Sequence, residues 1–276
     1  PGRHSWRLWR HQMPVALAYA DRWFGTVTAP AGAAPRPVCG QLRAHRRTRL
    51  AVVAHAFGEP HGNLLVVPRR PEVALSFDDG PTPRYTPTVL RTLARFHAHA
   101  TFFVTGRQAK RYRALLRAEA RAGHEIGNHT FDHPLLVRPD TGTLALSRRA
   151  IRDELASTDR TIRRAGLPSP RLFRPPYGVG LFSPALTALV AAEGERVVGW
   201  DIAPDAYLPI SVGVAVQQVV RQLRPGAILL IHDGRHGRER DVQLLRPLLR
   251  VLARRCYRAV TVSRLLADSA PGRPPA

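Results

Sequence analysis

The sequence predicts an α/β fold in which helices wrap a parallel sheet, on three observations. From residue 71 onward, short apolar runs alternate with longer helical patterns, the order that places parallel strands between crossover helices. Several apolar runs end abruptly in polar residues, and the carboxyl ends of parallel strands are where function collects. Two helix starts, Thr86-Pro87 and Ser183-Pro184, pair an N-cap residue with a proline, which suits the first helical position.

The elements follow in order. Val73 to Phe77 is an apolar run closed by Asp78-Asp79 and then by Gly80-Pro81, so a buried strand over 72–77 ends in a turn. A helix over 86–97 leads to a strand at 100–104. A helix over 108–122 and a strand at 124–127 come next. A helix over 143–165 precedes a strand at 171–174, which stops at Pro175-Pro176. The helix 183–193 meets Gly194, a suitable C-terminal stop. Strands at 196–201, 227–231 and 258–262 alternate with helices at 212–223 and 241–255. No internal repeat or heptad pattern interrupts this order.

Residues 1–70 read as a basic N-terminal extension, 71–268 as the main domain and 269–276 as a C-terminal tail. The extension holds the Pro/Ala/Gly-rich stretch 29–35, the basic run Arg43 to Arg49, and candidate short strands at 50–56 and 64–67. Basic residues up to Arg10 precede the apolar stretch Met13 to Ala20, the layout of a secretory leader. That stretch is short and contains Pro14, so an amphipathic segment packing on the main domain is the favoured reading, and no clear signal peptide is present.

Composition narrows the classes. The chain has 276 residues, 44% of them hydrophobic, ample for one sizeable core. No apolar run approaches the roughly 20 residues of a membrane span. Two cysteines, Cys39 and Cys256, are too few for a disulfide scaffold or a cysteine-based zinc site. Net charge is +22 and the sequence pI about 11.6, with Lys110 the only lysine. Such a field favours polyanions, an anionic cell-wall polymer among them. No specific nucleic-acid motif accompanies it.

Four strand ends carry chemistry. Asp78 and Asp79 are adjacent like charges, which repel unless a cation or a shared proton lies between them. One could bind a metal while its neighbour takes protons; a solvated Asp-Asp-Gly turn is the plainer explanation. His129 and His133 are four apart, so one helical turn or a tight loop could aim both at one point. With a carboxylate they form a set that suits zinc or another divalent first-row metal, although a chain with twelve histidines also produces close pairs by chance. Arg174 precedes a stiff Pro-Pro turn and could pair with any carboxylate nearby. His232 ends the apolar run Ala227 to Ile231 and could equally sit at a solvated turn.

The ordered set Ser76-Phe77-Asp78-Asp79-Gly80-Pro81, His129-Thr130-Phe131-Asp132-His133, Arg174-Pro175-Pro176-Tyr177-Gly178 and Leu230-Ile231-His232-Asp233 resembles the NodB-homology polysaccharide deacetylases, carbohydrate esterase family 4. The resemblance spans roughly residues 71 to 267. It implies the family's distorted, incomplete (β/α) barrel. It also implies Asp79, His129 and His133 as ligands of one divalent metal ion, with zinc the first choice and cobalt, nickel, manganese or iron as alternatives. Asp78 would be the general base, and Arg174 the cation that favours its ionised form and orients it. The backbone N–H of Tyr177 would donate to the tetrahedral oxyanion, with Pro176 beside it in the groove. His232 would be the general acid, and Leu230, on the same side of its strand, would cup the acetyl methyl.

The weakest match is Trp200 to Tyr207, where the family has Asp-Trp. Asp205, or else Asp201, would tune the acid histidine, and Tyr207 would offer an aromatic platform for a sugar ring. The resemblance thus implies an enzyme removing N-acetyl groups from an acetylated polysaccharide, peptidoglycan or another N-acetylglucosamine polymer, in the cell envelope or outside the cell. An O-acetyl esterase with the same site is the alternative among enzymes. A catalytically inactive polyanion-binding module is the alternative of another class, but binding alone does not need base, ligands, arginine and acid together.

Overall fold

The computed structural model describes residues 70–204, 210–235 and 237–267. The segments expected within 1–69 lie outside that range, as do Cys39, Asp205, Tyr207 and the tail 269–276.

In chain order the elements are β1 (Glu72–Asp78), α1 (Thr86–Arg95), β2 (Ala100–Val104), α2 (Gly106–Arg111), α3 (Arg113–Arg121) and β3 (Glu125–Asn128). Then come α4 (Arg148–Arg164), β4 (Leu172–Phe173), a 3₁₀ turn (Pro176–Gly178), α5 (Pro184–Ala192) and β5 (Arg196–Val197). The last are α6 (Val212–Gln222), β6 (Ile228–His232), α7 (Glu239–Arg254), β7 (Arg258–Val260) and α8 (Val262–Ala267).

Every paired strand runs parallel, in the order β5-β4-β3-β2-β1-β6, with β7 paired to the first half of β1. β5 and β6 stand at opposite ends of that order. Yet Ile202, just past β5, bridges Leu229, and the Leu230 N–H donates to Ile202 O at 2.8 Å. The sheet is therefore curled until its ends touch at Asp201 and Ile202. This is the incomplete barrel that the family resemblance implies.

Alternation along β1 separates inside from outside. Val73, Leu75 and Phe77 join the layer under the helices, while Ala74 packs with Phe103, Leu172, Val198 and Ile228 inside the barrel. Period-two geometry then points Ser76 and Asp78 inward as well. On α4, Ile151, Leu155, Thr158 and Ile162 form one buried stripe, at the spacing expected of a helix face. Fully burying each such aliphatic side chain contributes about 1.5–3 kcal/mol.

The element boundaries shift in instructive ways. The helix expected over 108–122 is broken at Tyr112, whose φ is −118° and ψ 49°. α4 starts at Arg148 because the Ser147 hydroxyl accepts from the Ala150 N–H. Ser183 caps α5 as expected, accepting from Leu186 N, with Pro184 at the first position. Thr86 does not cap α1: it lies inside the helix, and its hydroxyl is engaged by Thr82 and Asp233. The strand expected at 196–201 is regular only over Arg196–Val197, and the run at 258–262 turns into α8 after Val260.

Candidate metal and catalytic site

Asp78 is the last residue of β1 and faces the barrel interior. There Arg174, fully buried at the end of β4, donates from Nη1 to Asp78 Oδ1 and to Ser76 Oγ, each at 2.8 Å. Its remaining donors reach the backbone oxygens of Val198 and Gly199, at 3.2 and 2.8 Å. Its guanidinium lies over the Phe103 ring, 4.1 Å from the centroid, and 5.5 Å from that of Trp200. Burial lowers the pKa of Arg174, and Asp78 opposes that shift. A guanidinium this fully engaged holds Asp78 in one orientation.

Consecutive strand residues point to opposite faces, so two adjacent aspartates can meet one site only if the backbone leaves the strand between them. Asp79 does so, at φ 73°. Such φ is uncommon outside glycine, though aspartate is enriched there. His129 Nε2 then lies 3.8 Å from Asp78 Oδ2 and 3.7 Å from Asp79 Oδ1, and His133 Nε2 lies 3.2 Å from Asp79 Oδ1. Gly234, just past β6, is where the two strand ends close up: a Cβ there would fall 2.0 Å from the Asp79 carbonyl carbon.

The histidines sit on a pinned loop after β3, not on a helix. Thr130 and His133 adopt φ of 65° and 62°. Asn128 Oδ1 accepts from the Thr130 N–H at 2.9 Å, and Glu154 Oε2 accepts from the N–H groups of Phe131 and Asp132 at 2.8 Å each. The His129 Nδ1 is 2.7 Å from Arg174 O. A carbonyl only accepts, so Nδ1 carries a proton and Nε2 is the ring nitrogen that faces Asp79. Metal-binding histidines are commonly oriented in this way.

Asp79, His129 and His133 each offer one ligand atom, all within 4.8 Å of one another. Asp79 Oδ1 is buried and makes no hydrogen bond among the described residues, which is costly unless a cation satisfies it. Burial opposes the charge on Asp79, but His133, His232, His129 and Arg235 outweigh it and hold the carboxyl well below the usual range. The donor set therefore fits a divalent cation.

His232 ends β6 in register with Asp78. Leu230 precedes it on the same side and is buried. Tyr177 sits in the 3₁₀ turn with φ 63°; its ring stands edge-on to His133 at 4.6 Å, and its hydroxyl donates to His133 O at 3.4 Å. Pro176 is buried in the same turn.

Asp201 is a correction. Its Oδ1 is 2.5 Å from Arg224 Nη2, and its Oδ2 accepts from the Ile228 N–H at 2.7 Å. Both oxygens are thus committed at the start of β6, four residues and roughly 13 Å of strand from His232, so Asp201 is not the partner of that histidine.

Three contacts were not read from the sequence. Arg235 Nη1 lies 3.0 Å from His133 Nδ1; it follows a polar strand end, so the same rule could have flagged it. Thr86 donates to Asp233 Oδ2 at 2.5 Å, and burial pushes that carboxyl up to about 7. Asp241, on the first turn of α7, has Oδ2 3.4 Å from His232 Nδ1, a meeting that no local pattern announces.

Two carboxylates, two histidines and a buried arginine thus gather at the carboxyl face of a curled parallel sheet. Residues 66–195 match the family model for polysaccharide deacetylase. The chain is 35% identical over 194 residues to a peptidoglycan-N-acetylglucosamine deacetylase of Bacillus cereus, which covers 70% of this chain and 87% of that protein. It is 38% identical over 176 residues to a chitooligosaccharide deacetylase of Sinorhizobium fredii, covering 62% and 78%. The solved structure of peptidoglycan deacetylase PdaC from Bacillus subtilis matches with a TM-score of 0.63 at 31% identity, over 73% of this chain and 93% of that one. The chain belongs to the polysaccharide deacetylase family, the NodB-homology enzymes of carbohydrate esterase family 4, which are metalloenzymes.

Proposed function

We propose that this chain hydrolyses N-acetyl groups of an N-acetylglucosamine polymer, peptidoglycan or a chitin-type oligosaccharide, with zinc held by Asp79, His129 and His133. The observation that carries this reading is the division of labour at one strand end: Asp78 is tied to Arg174, while Asp79 faces two imidazoles. The substrates of the relatives named above support the substrate class.

When bound, a divalent cation supplies a lowered pKa for water and polarisation of a carbonyl. Asp78 Oδ1 is occupied by Arg174, so its Oδ2 is the atom that takes the proton from the attacking water. The Tyr177 N–H donates to the oxygen that gains charge as the carbonyl becomes tetrahedral. His232 delivers a proton to the departing nitrogen, since an amine leaves poorly as an anion. Leu230 packs against the acetyl methyl, and Pro176 lines the groove. The reading places residues 71–268 as the catalytic domain, with 1–70 as a basic extension, in the cell envelope or outside the cell. Among the described residues no helix is long and apolar enough to cross a membrane.

The test is acetate release from chitooligosaccharides, peptidoglycan and acetylated xylan, with and without a chelator. Release from the first two that stops with chelator and returns with zinc is the expected result. Release from xylan alone would make the chain an O-acetyl esterase.

A further inference from the structure

We propose that Asp241, on the first turn of α7, is the positioning residue of His232, holding the imidazole that protonates the departing amine. This rests on His232 being the general acid of the reaction proposed above. The acid itself belongs to β6, but the carboxylate comes from a different element, 9 residues further along the chain.

Asp241 Oδ2 is 3.4 Å from His232 Nδ1, and the two side chains are 3% and 12% exposed. That oxygen makes no hydrogen bond among the described residues, and a buried acceptor left so is expensive. A contraction of about half an ångström would give an N–H···O bond of ordinary length. With Nδ1–H committed to Asp241, Nε2 is the nitrogen left to hold the proton that is delivered.

The carboxylate is stabilised where it stands. Asp241 lies in the first turn of α7, where the partial positive charge of the helix end favours an anion. Arg238 Nη1 lies 3.6 Å from the same oxygen. Among the described residues, Asp79 and Asp233 from the strand-end loops feel the charge of His232, Arg235 acts on Asp79, and Asp78 stands across the β1–β6 register. Asp201, one of two carboxylates that family resemblance offered for this task, is held by Arg224 and the Ile228 N–H. Asp205, the other, is an arm of the test.

The experiment compares Asp241→Asn, Asp241→Glu and Asp205→Asn with the wild-type zinc enzyme on two substrates. One is a chitooligosaccharide, whose amine must be protonated to leave. The other is 4-nitrophenyl acetate, whose phenolate leaves unaided. Asp241→Asn is expected to lower kcat on the amide by on the order of 10- to 100-fold, within what a general acid contributes as a whole. KM, metal content and the aryl-ester rate should change little. The alkaline limb of the pH profile should move to lower pH, because removing an anion lowers a histidine's pKa and the acid is lost sooner. Asp241→Glu should recover part of the rate.

Equal losses on both substrates would make Asp241 merely structural and overturn the proposal. So would an alkaline limb that moves in Asp205→Asn and stays fixed in Asp241→Asn. If the wild type releases no acetate from any amide, the deacetylase reading itself has failed. The ¹⁵N-histidine titration of His232 then decides about Asp241: a lower midpoint in Asp241→Asn upholds the contact, and an unmoved one ends it.

Discussion

Asp78 and Asp79 are chemically identical neighbours, and backbone direction together with Arg174 gives them different surroundings. The first ends a strand and is clamped by a buried arginine; the second adopts φ 73° and turns toward two imidazoles. Asp78→Asn should therefore retain metal and lose roughly 10²–10⁴-fold in turnover, the usual contribution of a general base. Asp79→Asn should lose the metal first. Metal analysis after dialysis, read beside acetate release, separates the two, and equal metal loss in both variants would show the roles to be wrongly divided. The candidacy of both residues was legible in the sequence, since an apolar run ending in paired carboxylates invites a cation. Their orientation was not, because a positive φ leaves no mark in composition.

At the scale of elements, the histidine loop depends on a brace beneath it. Asn128, the last residue of β3, donates to Glu195 Oε1 at 2.8 Å and to Leu155 O at 3.1 Å, tying together β3, the start of β5 and α4. Burial pushes the Glu195 carboxyl up to about 8, against the opposing bond from Asn128 and with help from Asp159 and Glu193. A carboxyl whose folded pKa lies above its unfolded value binds more protons when folded. Its contribution to stability is thus full below the unfolded value of 4.5 and declines as pH rises toward about 8, by on the order of a few kcal/mol at most. Glu195→Gln stays neutral and can still accept from Asn128, so it should flatten that decline. Denaturant midpoints of wild type and variant at about pH 5 and pH 9 measure the difference, and parallel pH profiles would refute it. Asp233 shifts in the same direction in both proteins and cancels in the comparison. Alternation and caps made these elements readable in advance to within a few residues. The break at Tyr112 and the short β5 were not readable, because each depends on what the neighbouring chain permits.

Across the whole molecule the dominant feature is charge. The +22 is spread along the sequence, with Arg148, Arg149, Arg152, Arg160, Arg163 and Arg164 on the single helix α4. If that field holds the enzyme on an anionic wall polymer, binding should weaken steeply as salt rises, since the screening length is about 8 Å at physiological ionic strength. Turnover of a short neutral chitooligosaccharide should barely respond. Co-sedimentation with anionic wall material across a salt series checks this, and salt-independent binding would remove any role for the charge. The parallel α/β class, the strand ends and the residues of the candidate metal site were all present in linear order, because hydrophobic period and residue type are local properties. Which carboxylate stands beside His232 is not a local property. Asp201 follows β5 and Asp241 lies in the first turn of α7; of these two, the structure ties the first to Arg224 and brings the second to 3.4 Å from the imidazole, while Asp205 lies outside the described residues. That choice is made by packing between elements distant in sequence, which no window along the chain contains.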